Sequence, residues 1–347
     1  MNKLLWSVHV KKVIVVFALL SSLCWSHGFA KKSAALPELN NPISIEIDEN
    51  ELYVLDEAVV YVYSLKDYRF LGKFGRKGEG QGQLMPNPEV PLAMNIANGN
   101  VFLSSQIKMI RFSKKGEIIK EQRIPFSFQT IPFGENFVSI KISTIHALNS
   151  FNAILYDPGF NQLKLLYSRE RTPVSRRGMF SLPPELIIIR SSKDKLFVFD
   201  QQKGSVIDTF DLQGNRLDNI KIDYQRIKIT DSFKRTAEAW FMAQPSFNMA
   251  AEELRKMIYF PDYLPMMRNF IIKNQKLYIQ TYKTQGNSSE FIILDFHGKL
   301  IKQTFLPVYE TSPLQLNSSN IFTFFNEKYY WLAKTGRGWE IHVEEIK

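Results

Sequence analysis

A chain of 347 residues with 45% hydrophobic, 13% aromatic and 22% charged side chains has the apolar mass for a large core, which excludes a disordered or fibrous protein. The formal net charge is +10; three of the 44 basic residues and none of the 34 acidic ones lie in the first thirty positions, leaving +7 on the remainder. A single cysteine excludes an intrachain disulfide.

Residues 1–30 read as a secretory signal peptide. Lys3, Lys11 and Lys12 precede an uncharged, largely apolar run from Val13 to Trp25, followed by Ser26-His27-Gly28-Phe29-Ala30 with small residues at the −3 and −1 positions of a cleavage after Ala30. The run is shorter than the ~20 residues of a spanning helix, and no later segment approaches that length. An uncleaved anchor and lipidation at Cys24 are the alternatives, although Leu23 stands where a lipoprotein signal wants a small residue. Cleavage as drawn leaves 31–347 without cysteine and points to an exported protein, periplasmic or secreted.

The mature chain repeats itself. Phe112-Ser-Lys-Lys-Gly116, Phe210-Asp-Leu-Gln-Gly214 and Leu294-Asp-Phe-His-Gly298 are apolar strand ends running into a turn that closes on glycine. Tyr63-Ser-Leu-Lys-Asp67 fits the frame with aspartate in the glycine position, and Tyr156-Asp-Pro-Gly-Phe-Asn is a degenerate copy. Before each turn lies a short β-branched or aromatic strand such as Leu52-Tyr-Val-Leu-Asp, Val101-Phe-Leu-Ser-Ser, Leu196-Phe-Val-Phe-Asp or Leu277-Tyr-Ile-Gln-Thr. Units of about four strands at a period of 40–50 residues define a β-propeller. Six units start near Pro42, Pro91, Gln129, Glu185, Met267 and Pro313. In the last, Ile321–Asn326, Tyr329–Lys334 and Trp339–Ile346 are three strands; the fourth is either Pro313–Leu316 or the N-terminal stretch closing the ring.

The segment Phe70-Leu-Gly-Lys-Phe-Gly75-Arg-Lys-Gly78-Glu-Gly80-Gln-Gly82-Gln-Leu-Met-Pro86 resembles the glycine-rich link between repeats of NHL-repeat propellers. Asn98–Leu103 and Phe112–Gly116 fall where such a repeat has its second strand and following turn, and the clear match covers 42–122. The order of Phe260–Pro265, Arg268-Asn-Phe-Ile-Ile and Trp339-Glu-Ile-His-Val resembles exported bacterial six-bladed propellers, a group mostly of unknown function. The resemblance implies an all-β, six-bladed fold over 31–347. It departs from the family pattern at the third and sixth units, which lack the glycine-rich link.

Residues 231–260 break the strand rhythm. Asp231 as cap and Phe233, Ala237, Trp240 and Phe241 on one face predict a helix ended by Pro245; Ser246 and Phe247, Ala250, Ala251, Leu254 and Ile258 predict a second. This helical hairpin is expected between blades 4 and 5. Links between blades emerge on one face of a propeller, so this insertion, the glycine-rich stretch 75–90 and Ser168–Glu185 share it. The last link carries Arg169, Arg171, Arg176 and Arg177. Guanidinium forks match carboxylates and phosphates, so these four arginines, with Trp240 and Phe241 as apolar anchors, are the candidate surface for a protein partner or an anionic ligand. The dispersed charge argues against nucleic acid.

Catalytic chemistry is thinly represented. His146, His297 and His342 belong to different parts of different blades, so a zinc site is not expected. Gly78–Gly82 lacks the Lys-Ser/Thr and the helix of a phosphate loop. The alternative to a non-catalytic binding role is a metal-dependent lactonase or hydrolase with calcium in the axial channel. Its candidate ligands are Asn95, Glu135 and Asn269, with Glu46 and Asp48. No cofactor is expected outside that alternative.

Overall fold

A strand such as Leu196–Asp200 is apolar at nearly every position, so each face of its sheet presents a hydrophobic row. A sheet of such strands has to be covered on both sides, and a ring of sheets does so. The computed structural model describes residues 32–87, 90, 92–145, 148–170, 180–244, 251–309 and 321–346. They form six four-stranded antiparallel sheets, each in simple up-and-down order.

Numbered by first strand, blade 1 joins Lys32–Ala35 to Phe322–Phe325, Lys328–Thr335 and Gly338–Glu345, and blade 2 spans Pro42–Phe74. Blades 3 to 6 span Ala93–Arg123, Gln129–Glu170, Ile187–Lys221 and Asn269–Pro307. Each inner strand packs against the next, from blade 1 round to blade 6 and back, so the circuit is closed. Every junction has its own core. Phe197 and Phe199 of blade 5 face Phe270, Leu277 and Ile279 of blade 6, whereas Leu196 and Val198, one residue out of phase, face Ile131, Val138 and Leu155 of blade 4. Blade 6 meets blade 1 through Tyr278 and Phe291 against Phe324, Tyr329 and Trp331, with Tyr278 and Phe324 stacked at 3.9 Å.

The ring is closed by the chain's first strand. Lys32–Ala35 lies antiparallel on the last strand, Ser33 opposite His342 and Ala35 opposite Glu340. Leu36 follows, fully buried, and the Trp339 indole N–H donates to the Asn40 carbonyl at 3.0 Å. The fourth strand of the closing blade is therefore the N-terminal one; Pro313–Leu316 and the expected signal peptide lie outside the described residues.

The two faces differ. On the turn face, inner and second strands are joined by two-residue hairpins in five blades. Asn98-Gly99, Asn274-Gln275 and Asn326-Glu327 have positive φ at both residues, as a turn matched to strand twist requires. The repeated third-to-fourth-strand turns lie on this face too. Gly116 has φ +86°, and a Cβ there would lie 2.6 Å from the Phe74 Cβ. In blade 2 the left-handed residue is Tyr68 and not Asp67, so that turn is one residue longer than the repeat frame predicts. The link face carries the connections between blades.

One of them holds the helix α1 (Asp231–Met242). Its cap is Thr230, whose hydroxyl accepts from the Phe233 N–H at 3.2 Å; Asp231 is the acid of the first turn. A second helix, α2, is described over Ala251–Lys256; Ser246 and Phe247 of the expected helix lie outside the described residues, and Ile258–Tyr259 is instead a strand, parallel to Phe180–Ser181. Because the first strand belongs to blade 1, α1 follows the fifth sheet in the chain; its expected place between blades 4 and 5 is corrected accordingly. No helix among the described residues is long and apolar enough to cross a membrane.

Two predictions follow from this architecture. Deleting residues 32–36 removes a paired strand and the buried Leu36, and bares the edge of the last strand. The truncated protein is expected to melt at least about 10 °C lower and to associate on gel filtration, since 1 kcal/mol shifts Tm by only about 2–4 °C at the upper end of single-domain sizes. Asp157, Asp211 and Asp295 each accept two turn N–H bonds at 2.7–3.0 Å. Bonds from the Asn161 side chain and backbone, and from the Asn215 and Lys299 backbone, hold the three carboxyls below the usual aspartate range. Their stabilisation is full above the unfolded value of about 3.9 and is lost as pH falls through the lower folded value. The triple Asp→Asn variant, which keeps the acceptors, is expected to show a flatter fall of Tm between about pH 4.5 and 2.5 than the parent.

Candidate functional site

The glycine-rich link bends back on itself and is tied to blade 3. Gly78 N–H donates to Leu84 O at 3.1 Å and Leu84 N–H to Arg76 O at 2.9 Å. Gly75 sits at φ +82°, where a Cβ would lie 2.7 Å from the Ala58 carbonyl. Glu121 accepts from the Gly82 N–H and pairs with Lys108 at 2.5 Å, and Lys108 also donates to the Gly80 carbonyl at 2.9 Å. Between this link, the Ser105–Ile107 turn and the end of blade 3 runs an open groove of about 1080 Å³ on the link face. Met85, Ile107 and Phe126 stand in it 47%, 60% and 55% exposed, and Phe126 packs edge-on against Phe128 at 5.9 Å.

Arg169 ends the outer strand of blade 4 and is turned inward. Its guanidinium pairs with Asp200 of blade 5, donates to the Glu185 carbonyl at 2.8 Å and lies over the Phe151 ring at 5.0 Å. Tyr167 also donates to Asp200, which is 2% exposed. Burial, then the hydrogen bond to Asp200 and its charge, push the Tyr167 phenol well above its ordinary range. This guanidinium is occupied in fastening the root of the arginine-bearing link. Arg171, Arg176 and Arg177 lie outside the described residues. On α1, Phe241 is buried with Ala237 against Leu182, and Trp240 is half-buried in the same cluster with Ile258 and Phe260. The apolar face of the helix is thus packed on the Ser168–Glu185 link and on the return segment of its own insertion.

The structure brings Glu46 and Asn95 of the proposed calcium set to a cavity of about 380 Å³ on the axis, which opens on the turn face. Asn269 is reached through Arg190, whose Nη2 donates to its Oδ1 at 2.7 Å. Glu46 is paired with Lys273 at 2.7 Å and Asp48 with Lys114 at 2.7 Å, while Glu135 is exposed on a turn. Oxygens that would ligate a hard cation therefore face ammonium and guanidinium groups instead. Among the described residues no three His, Cys, Asp or Glu side chains are placed to share a metal ion. His297 lies in a blade 6 turn and His342 stacks on Trp331 in blade 1; His146 is outside the described residues. Sequence reasoning did not single out the axial cations. Their signal was present in Ile-Ile-Ile-Arg190 and Phe-Ile-Ile-Lys273, where a basic residue ends an apolar inner strand.

No family model matches the chain, and no curated protein matches it in sequence. Among solved structures it is similar to a protein of unknown function from Bacteroides caccae, at 10% identity over 76% of this chain and 81% of that one, with a TM-score of 0.43. It is also similar to PorZ, an essential surface component of the type-IX secretion system of Porphyromonas gingivalis, at 8% identity over 85% of this chain and 30% of that one, with a TM-score of 0.37. The Pan2 WD40 domain of Neurospora crassa matches at 8% identity over 87% and 89%, with a TM-score of 0.39. At these scores the similarities carry no functional argument; the six-bladed ring rests on its strand order and closed circuit of inner strands.

Arg169→Gln leaves Asp200 buried without its cation, a change of the kind that costs about 3–5 kcal/mol. A denaturant melt is expected to show a loss of this size, whereas Lys77→Gln, in a pair with Glu57 whose side chains are 56% and 48% exposed, is expected to lose under about 1 kcal/mol.

Proposed function

We propose that the protein is an exported, non-catalytic binding or scaffold propeller that engages a partner protein through its link face. The observation that supports this most directly is the groove beside the glycine-rich link. Three large apolar side chains stand exposed in one concavity of about 1080 Å³. At about 1080 Å³ the concavity lies at the upper end of the about 300–1,000 Å³ of small-molecule pockets and has room for several side chains of a partner. The fitting partner segment is apolar, with Met85, Ile107 and Phe126 as its contacts. Lys108 and Glu121 neutralise each other on the floor, and Arg123 adds a cation at the rim.

The arginines enter the same reading. With Arg169 fastened to Asp200, contact with anionic groups of the partner falls to Arg171, Arg176 and Arg177 on the link that follows. Trp240 and Phe241 act in this reading by holding the insertion against Leu182 of the arginine-bearing link. The calcium-dependent hydrolase is not carried forward, because the candidate oxygens on the axis are engaged by basic side chains.

The test is site-specific photo-cross-linking from the groove. A cross-linker at Ile107 is expected to trap a discrete partner in envelope extract that one at Glu49, on the turn face, does not. The pair Ile107→Ser and Phe126→Ser is expected to weaken that partner's binding by at least about tenfold, the loss of about 1.4 kcal/mol or more typical of an apolar anchor, without moving Tm. Equal trapping from both faces, or unchanged affinity in the double variant, overturns the reading.

A further inference from the structure

The axial cavity on the turn face has a composition that the link-face reading does not use. Three cationic side chains, Arg190, Lys193 and Lys273, line it with one carboxylate, Glu46. They come from three blades: Glu46 from blade 2, Arg190 and Lys193 from blade 5, Lys273 from blade 6. Ile96 and Ile272, both partly exposed, supply apolar wall between them.

The hydrogen bonds within the cavity leave a surplus of donors. Arg190 uses three of its five N–H groups: Nε to Phe270 O at 3.0 Å, Nη1 to Ile189 O at 2.8 Å and Nη2 to Asn269 Oδ1 at 2.7 Å. Lys273 spends one of its three on Glu46 at 2.7 Å. Burial lowers the Arg190 pKa to about 10, with Glu46 opposing the shift, so the guanidinium stays charged at neutral pH. The charged groups facing Arg190 and Lys273 across the cavity are thus one acid and a further lysine. Such an array is complementary to an added negative group and repels an added positive one. The volume, about 380 Å³, is that of a small-molecule pocket.

We propose that this cavity binds a small organic acid. Its carboxylate takes the spare N–H groups of Arg190 and Lys273, and its carbon body lies against Ile96 and Ile272. Lys193 at the mouth adds to the attraction for the incoming anion. Glu46 holds Lys273 in place and, through its own charge, weakens the binding of the acid. A purely structural role for the same residues, tying blades 5, 6 and 2 together, predicts the opposite behaviour when Glu46 is neutralised: loss of stability and no gain in affinity.

The experiment titrates the purified full-length protein with benzoate, succinate and citrate by calorimetry, with benzamide as the uncharged counterpart of benzoate. At least one of the acids is expected to saturate a single site with a Kd below about 5 mM, and benzamide to bind at least about tenfold more weakly than benzoate if benzoate is that acid. Lys273→Gln is expected to weaken the bound acid by about tenfold and Glu46→Gln to tighten it by about threefold or more, both with melts recorded as folding controls. Phe126→Ser in the groove is expected to leave the titration unchanged, which separates this site from the link-face proposal. No saturation by any of the three acids up to about 20 mM, or affinity that is indifferent to both Lys273→Gln and Glu46→Gln, overturns it.

Discussion

Every blade of this protein is apolar on both faces, and a two-faced sheet is stable only when it is covered twice. From that constraint the ring follows. Alternation along one strand sends Phe197 and Phe199 to one neighbour and Leu196 and Val198 to the other, so each sheet serves as half of two separate cores. A row of sheets would leave two bare ends. Here the ends meet, because Lys32–Ala35 completes the blade built by the last three strands and Leu36, Tyr330, Trp339 and Ile341 join Ile45, Leu52 and Val54 in a core common to both ends of the chain.

The repeat was legible because its physical causes are local. Aspartate or serine heading a turn and glycine at a left-handed position leave marks a few residues apart, so five of the six blades could be placed from their turns and their apolar middle strands. Where the cause was not local, the reading failed. Nothing near Ser64 shows that its turn takes an extra residue and moves the left-handed site to Tyr68. Thr230 and Asp231 are both capping residues, and only the path of the chain decides which one caps. The second helix was read from apolar spacing, but Ile258 is held as a strand by Phe180, nearly eighty residues away.

Charged residues were harder to read than apolar ones, and for the same reason. Arg169 stands in a cluster of arginines in the sequence, which points outward to an anion; Asp200, which defines what it does, is 31 residues away on another blade. Glu46 and Lys273 are 227 residues apart and meet across the axis. In a propeller the inner strands bring such distant positions within bonding distance, so the sign of the axial field is a property of the ring and of no single repeat. The loop-rich link face carries the sequence-level features that catch the eye, while the opposite mouth carries the concentrated charge.

The closing strand also sets an order of events. Trp339 and Asn40, joined by a hydrogen bond, are separated by 299 residues. At about 5–20 residues per second, synthesis leaves the first strand waiting some tens of seconds for its partner. Throughout that interval blade 2 has one bare apolar face, and the chain grows as an open arc whose leading end is adhesive. Folding is thus a race between the arrival of the last hairpin and the capture of that end by another chain. An identical nascent chain would offer the same pairing, so the seam that closes the ring within one chain is also the place where two rings would exchange strands.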